Sequence, residues 1–256
     1  MNGDEKKLFF PYLLANYPST ARFLDVLDVT TKYADAIEIG IPFSDPIADG
    51  PVIREAAASV LARGFQIETI FKVLQRKPHQ VPIALMSYAN PIVAYGLTEF
   101  MKACKQCGVD FLIVPDVPME ECAEWKIEAH REKIGWISFV SLLTRSERLE
   151  KIARAAEGFL YLLGVTGITG SSIHSPEAIR QKAKEIRRFS RVPLALGFGI
   201  RSVKDAMAYM DSVDAYIVGS KLIELVSTTS LKGLETFYKE FCQAINAEKA
   251  TEQRRV

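Results

Sequence analysis

A (β/α)8 TIM barrel in a single domain is the fold class predicted by this 256-residue sequence, and three observations carry the prediction. Short apolar runs alternate with longer amphipathic stretches along the whole chain. The alternation repeats eight times, and eight β-α units in about 250 residues is the size of such a barrel. No linker, low-complexity segment or shift in composition marks a domain boundary, so residues 1–256 read as one domain. The apolar runs occupy 8–15, 36–41, 81–87, 109–114, 134–142, 158–163, 192–196 and 214–218. Several are too continuously apolar for a strand with one wet face and read as parallel strands covered on both sides. Between them, 51–64, 146–158 and 202–211 place apolar residues three and four apart, the helical spacing. Gly64, Gly108 and Gly158 stand where helices should stop, and Ser146 and Ser202 where N-caps are expected. The rival is a doubly wound open sheet, which lacks support because no G-x-G-x-x-G follows the first run. The polar tail 246–256 is expected to fray.

Composition excludes several classes of function. Hydrophobic residues make up 48% and charged residues 25%, ordinary for a globular protein. Lys plus Arg is 32 against 31 for Asp plus Glu, a net charge of +1 that gives no field to attract nucleic acid or an anionic membrane. No apolar run reaches the roughly 18 residues of a membrane span. The opening residues are polar and of mixed charge, unlike a secretory leader, and the expected location is cytoplasmic. Cys104 and Cys107 form a C-x-x-C with no second half and no histidine at ligand spacing. They are read as ordinary helix residues rather than a metal or redox site.

The chemistry is expected at the C-terminal ends of the strands. Ile37 and Ile39 share one face of the second run and suit the helix-packed layer, which turns Glu38 into the barrel. Its alternative is an ion-paired residue bracing the barrel mouth. Asp49 follows eleven positions later in a loop stiffened by Pro42, Pro46 and Pro51. Alone it reads as an N-cap for the helix starting near Pro51. Together, two carboxyl groups in one pocket can divide the work of proton donor and proton acceptor when their environments differ. A second cluster is glycine and hydroxyl: Gly167, Thr169 and Gly170 follow the sixth run, Gly197 and Gly199 the seventh, and Gly219 and Ser220 the eighth. Any one of these glycines suits a plain turn. Backbone N–H groups gathered at three successive strand ends make an anion site, and a phosphorylated small substrate is the inference. Arg201 and Lys221 are close enough in sequence to add charge there. No cofactor motif is present.

Residues 38–51, EIGIPFSDPIADGP, resemble the signature of the tryptophan synthase α subunit family throughout. The resemblance continues in MSYANPIVAYG (86–96), GVDFLIVPDVPMEE (108–121), YLLGVTGITG (161–170), LGFGI (196–200) and IVGS (217–220), in the family's order and covering nearly the whole chain. It implies a lyase that cleaves indole-3-glycerol phosphate to indole and glyceraldehyde 3-phosphate by a retro-aldol reaction. Glu38 would then protonate indole C3, and Asp49 would stabilise the charge developing at the indole N–H. Tyr161 would lie beside the indole, with Tyr12, Met86 and Asn90 in or near the pocket wall. Phosphate would bind at Gly170, Gly199, Gly219 and Ser220, and Asp45 and Thr169 would help close the site. The implied partner is a β subunit in an αββα heterotetramer. That subunit carries pyridoxal phosphate and receives indole through a tunnel, while this chain carries no cofactor. Asp45, Asn90 and Pro91 match the interface region.

Three departures stand out. The family usually has an amphipathic helix over the barrel floor, for which MNGDEKK is too short and polar. In LLANYP, Leu14 and Asn16 replace a Thr and a Gly. SLLTRSERLE stands where a Pro-Thr-rich turn is common. Two further functions compete with the complexed lyase: a free-standing lyase that releases indole, and a catalytically weak activator of the β subunit. Another phosphate-binding barrel, such as a sugar-phosphate isomerase, would explain the glycines but not the motif at 38–51.

Overall fold

The computed structural model describes residues 6–76, 80–164, 175–197 and 199–247. The strands are β1 (Leu8–Leu14), β2 (Ile37–Gly40), β3 (Ile83–Met86), β4 (Phe111–Ile113) and β5 (Gly135–Trp136), then β6 (Ser138–Ser141), β7 (Leu160–Leu163), β8 (Leu194–Gly197) and β9 (Ala215–Val218). The helices are α1 (Thr20–Thr30), α2 (Pro51–Leu61), α3 (Ile67–Leu74), α4 (Ala89–Tyr95), α5 (Leu97–Gln106) and α6 (Ala123–Arg131). They continue with α7 (Ser146–Arg154), α8 (Pro176–Ile186), α9 (Val203–Met207), α10 (Ser220–Thr228) and α11 (Leu231–Ala244).

All strand pairs are parallel, in the order β5-β4-β3-β2-β1-β9-β8-β7-β6. The two ends of that order are joined through Ile137 alone, so the chain closes a barrel of eight staves. The expected run at 134–142 is thereby corrected from one strand to two. β5 pairs with β4, β6 pairs with β7, and at the break the Ile137 N–H donates to the Leu112 carbonyl at 3.0 Å. Strands in a closed barrel are tilted and staggered, so a short stave pairs with its two neighbours over different residues.

The alternation of side chains sorts the core into two layers. Phe9, Leu13, Ile37, Ile39, Leu85 and Leu196 face the helices, and Phe10, Tyr12, Ala36, Ala84, Met86 and Tyr161 face the interior. Ile53, Ala56, Ala57 and Val60 of α2 join the interior cluster, and α2 packs against β1 and α10. At the opposite end Phe159 packs 5.1 Å from Phe10 and 6.3 Å from Phe111 between ring centroids, and these three rings fill the floor. Gly135 and Gly158 make that possible, because a Cβ on either would collide with the Phe111 ring.

Local signals are met with one exception. Gly64, Gly108 and Gly158 follow helices at φ of 75°, 74° and 58°, a region that favours glycine. Ser202 caps α9 in a reciprocal box with Asp205. Ser146 is not an N-cap: Arg145 occupies that position, and the Ser146 hydroxyl donates to Glu185 at 2.6 Å, a charged acceptor that outcompetes the helix end. Asn246, in the expected tail, holds both the N–H and the carbonyl of Lys7. Cys104 and Cys107 are buried free thiols, and Cys107 donates to the Phe71 carbonyl. Among the described residues no His, Cys, Asp and Glu group is placed to hold a metal, and no helix is long and apolar enough to cross a membrane.

Candidate active site

Glu38 sits between Ala36 and Gly40 on the inward face of β2, beside Tyr12 of β1 in register. It is 3% exposed, and its Oε2 has no hydrogen-bond partner among the described residues. Burial, reinforced by the nearby Asp49 carboxylate, pushes its pKa from 4.5 to about 8. At neutral pH Glu38 therefore keeps its proton.

Asp49 is brought to the same mouth by the loop after β2, and it is not the helix cap it would be alone. Gly50 holds the N-cap position of α2, with no side-chain cap bond. The Asp49 carboxylate instead accepts a 2.9 Å hydrogen bond from the Tyr88 hydroxyl. Burial raises its pKa from 3.8 to about 6, opposed by that hydrogen bond and by the charge of Arg54. Two carboxyl groups in one pocket thus differ in state at pH 7, Glu38 protonated and Asp49 mostly ionised. That difference suits one group to proton donation and the other to stabilising positive charge.

Two tyrosines complete the walls by leaning across glycines of neighbouring strands. A Cβ on Gly40 would run into the Tyr12 hydroxyl, and a Cβ on Gly197 into the Tyr161 ring. Without side chains there, both phenols reach the C-terminal end of the barrel. Burial and the carboxyl groups of Asp49 and Glu38 raise both phenols well above 10, so they remain neutral. Phe139 packs 4.9 Å from Tyr161 between centroids, and Met86 closes the inward face of β3.

The glycine cluster is described only in part. Gly167, Thr169 and Gly170 lie outside the described residues. Gly199 has φ of 86°, and Gly219 is the N-cap of α10, followed by Ser220 as its first residue. Among the described residues no side chain caps α10, which leaves first-turn N–H groups for a ligand. Among the described residues a Cβ on Gly219 would meet Ile53 and Tyr12 at ordinary distances of 3.6 and 3.8 Å, so their packing does not require glycine. Arg201 and Lys221 add less charge than their sequence position suggests, because both face Glu224, Arg201 at 2.6 Å. Asp45 and Asn90 are exposed on the loop after β2 and at the start of α4, with Pro91 beside Asn90.

Sequence reasoning missed Tyr88 and Gly40, and it read Gly197 as part of the anion site rather than as the space under the Tyr161 ring. A glycine opposite a tyrosine on the adjacent strand is a signal visible once register is known. Tyr88 had no local signal, since its partner is 39 residues away.

The profile of the family described as Tryptophan synthase alpha chain matches residues 1–252. The tryptophan synthase alpha chain of Caldicellulosiruptor bescii is 36% identical over 245 residues, 96% of this chain and 95% of that protein. That of Trichormus variabilis is 38% identical, covering 96% and 94%. The solved tryptophan synthase subunit alpha from Campylobacter jejuni superposes with a TM-score of 0.84 at 33% identity, covering 92% of this chain and 96% of that one.

Proposed function

The chain belongs to the tryptophan synthase alpha chain family, and on that footing we propose that it cleaves indole-3-glycerol phosphate to indole and glyceraldehyde 3-phosphate. The observation that carries this reading is the pair of carboxyl groups at one barrel mouth, one protonated and one anionic at neutral pH. Glu38 transfers its proton to C3 of the indole ring, which becomes sp3, and the positive charge left at the ring nitrogen faces the Asp49 carboxylate. The Glu38 carboxylate then takes the proton of the substrate hydroxyl next to the ring. As that O–H becomes C=O, the carbon–carbon bond breaks, its electron pair restores the indole, and Glu38 is protonated again. Tyr12, Met86 and Tyr161 form the walls around the ring. Gly199, Gly219 and Ser220 receive the phosphate, together with Gly170. Thr169 and Asp45 help to close the site and exclude water.

We infer a β subunit as partner in an αββα assembly, with pyridoxal phosphate on that subunit and none on this chain. Support comes from Ile47, 75% exposed two residues after Asp45, and Val93, 62% exposed two residues after Pro91. Large apolar side chains presented to solvent beside the residues that match the interface region favour a covering protein surface. A cytoplasmic location belongs to the same reading.

The test is indole release from indole-3-glycerol phosphate by the purified chain, alone and with added β subunit. Slow turnover that rises sharply with the partner is expected. High unaided turnover points instead to a free-standing indole producer. No turnover in either condition, with the β reaction still stimulated, makes the chain an activator.

A further inference from the structure

We propose that Tyr88 is the positioning residue for Asp49: its hydroxyl fixes the carboxylate in place and holds it as an anion opposite the substrate. Tyr88 follows β3 and occupies the N-cap position of α4, 2% exposed. Its hydroxyl donates to Asp49 Oδ2 at 2.9 Å and accepts from the Ala48 N–H at 3.0 Å. One oxygen therefore fixes both the side chain of Asp49 and the backbone N–H of the residue before it.

The phenol is itself held from the far side. The Ser87 N–H donates to the Ile113 carbonyl at 3.0 Å, and the Ala89 N–H donates to both carboxylate oxygens of Asp116 at 3.0 and 3.1 Å. Phe43 lies 5.2 Å from the Tyr88 ring between centroids. The segment bearing Tyr88 is thus anchored to β4 and its following loop, while Asp49 rides on the loop after β2. A rigid donor on one element locates an acceptor on a loop.

The energetic sense follows from the surroundings of Asp49. Glu38 of β2, Tyr12 of β1, Tyr161 of β7, Arg54 of α2 and Tyr88 face or surround it. Burial disfavours the anion, and Tyr88 and Arg54 favour it. Arg54 is exposed and screened by solvent, whereas Tyr88 donates directly from a buried position. Removing only the hydroxyl leaves the ring against Phe43 and takes away the donor.

The proposal rests on Asp49 being the group that faces the indole nitrogen, and the test separates the two. In the full chain labelled with 13C at aspartate carboxyl carbons, the Asp49 resonance is identified by its loss in Asp49→Asn and titrated by NMR. Its midpoint, near 6 in the parent, is expected to rise by about one pH unit in Tyr88→Phe. Site-specific 3-fluorotyrosine at position 88, a stronger donor of nearly the same size, is expected to move it down. A midpoint that ignores both changes overturns the proposal.

In kinetics, the acid limb of kcat/KM for indole release is expected to move up with the midpoint. Tyr88→Phe is expected to cost little further rate in an Asp49→Asn background. An unmoved limb under a uniform loss of rate overturns the proposal, as does a fully additive double variant. If the midpoints move but the parent releases no indole, the reaction assignment fails and the hold of Tyr88 on Asp49 stands.

Discussion

Glu38 occupies an inward position among apolar and aromatic side chains, with one carboxyl oxygen unpartnered among the described residues. Such a group opposes folding once it ionises. Its folded pKa of about 8 lies above the ordinary 4.5, so between those values the native state keeps a proton that the unfolded chain releases. Stability therefore falls as pH rises from about 4.5 to about 8 and levels beyond, with a ceiling of roughly 5 kcal/mol for this group. Asp49 acts in the same direction between 3.8 and about 6. Glu38→Gln removes only the first contribution, so denaturant melts should show the variant increasingly more stable than the parent from pH 5 to pH 8. A stability difference flat across that window would mean Glu38 is not held protonated. The same variant should lose at least about 10²–10⁴ in rate of indole release, the scale of a positioned acid–base group. Ordinary turnover would remove Glu38 from the role proposed for it.

Strand ends and helix starts carry the remainder of the site. At the junction of β9 and α10, Gly219 has, among the described residues, neighbours at ordinary contact distances only and no side chain capping the helix. Gly219→Val is expected to leave thermal melting close to that of the parent and to raise KM for indole-3-glycerol phosphate at least about tenfold, with a smaller effect on kcat. Unchanged KM would take Gly219 out of the phosphate cradle. Helix ends were legible where a residue had only its own helix to serve: the Ser202 cap and the glycines Gly64, Gly108 and Gly158 lie where expected. Ser146 was not, because Glu185 on another helix offers its hydroxyl a better acceptor.

Across the whole molecule, the floor and the mouth are held by different means. Phe159 touches the floor rings of Phe10 and Phe111 and stands 6.4 Å from Tyr161 between centroids, below the site. Phe159→Ala is expected to destabilise the barrel by about 3–5 kcal/mol in equilibrium denaturation, the cost of emptying an aromatic site in a closed core. A loss under about 1 kcal/mol would mean the floor refills. By itself the sequence determined the barrel, the inward turn of Glu38 and the outward turn of Ile37 and Ile39, because a period of two along a strand is local and barrel closure assigns its two faces. The motif at 38–51 likewise carried Asp49 toward chemistry through its own residues. Only the tertiary structure decided the break at Ile137, the glycines Gly40 and Gly197 beneath two tyrosines, and the bond from Tyr88 to Asp49. Each depends on stagger or contact between segments far apart in the chain, and no spacing along one strand or helix encodes which distant side chain will arrive opposite.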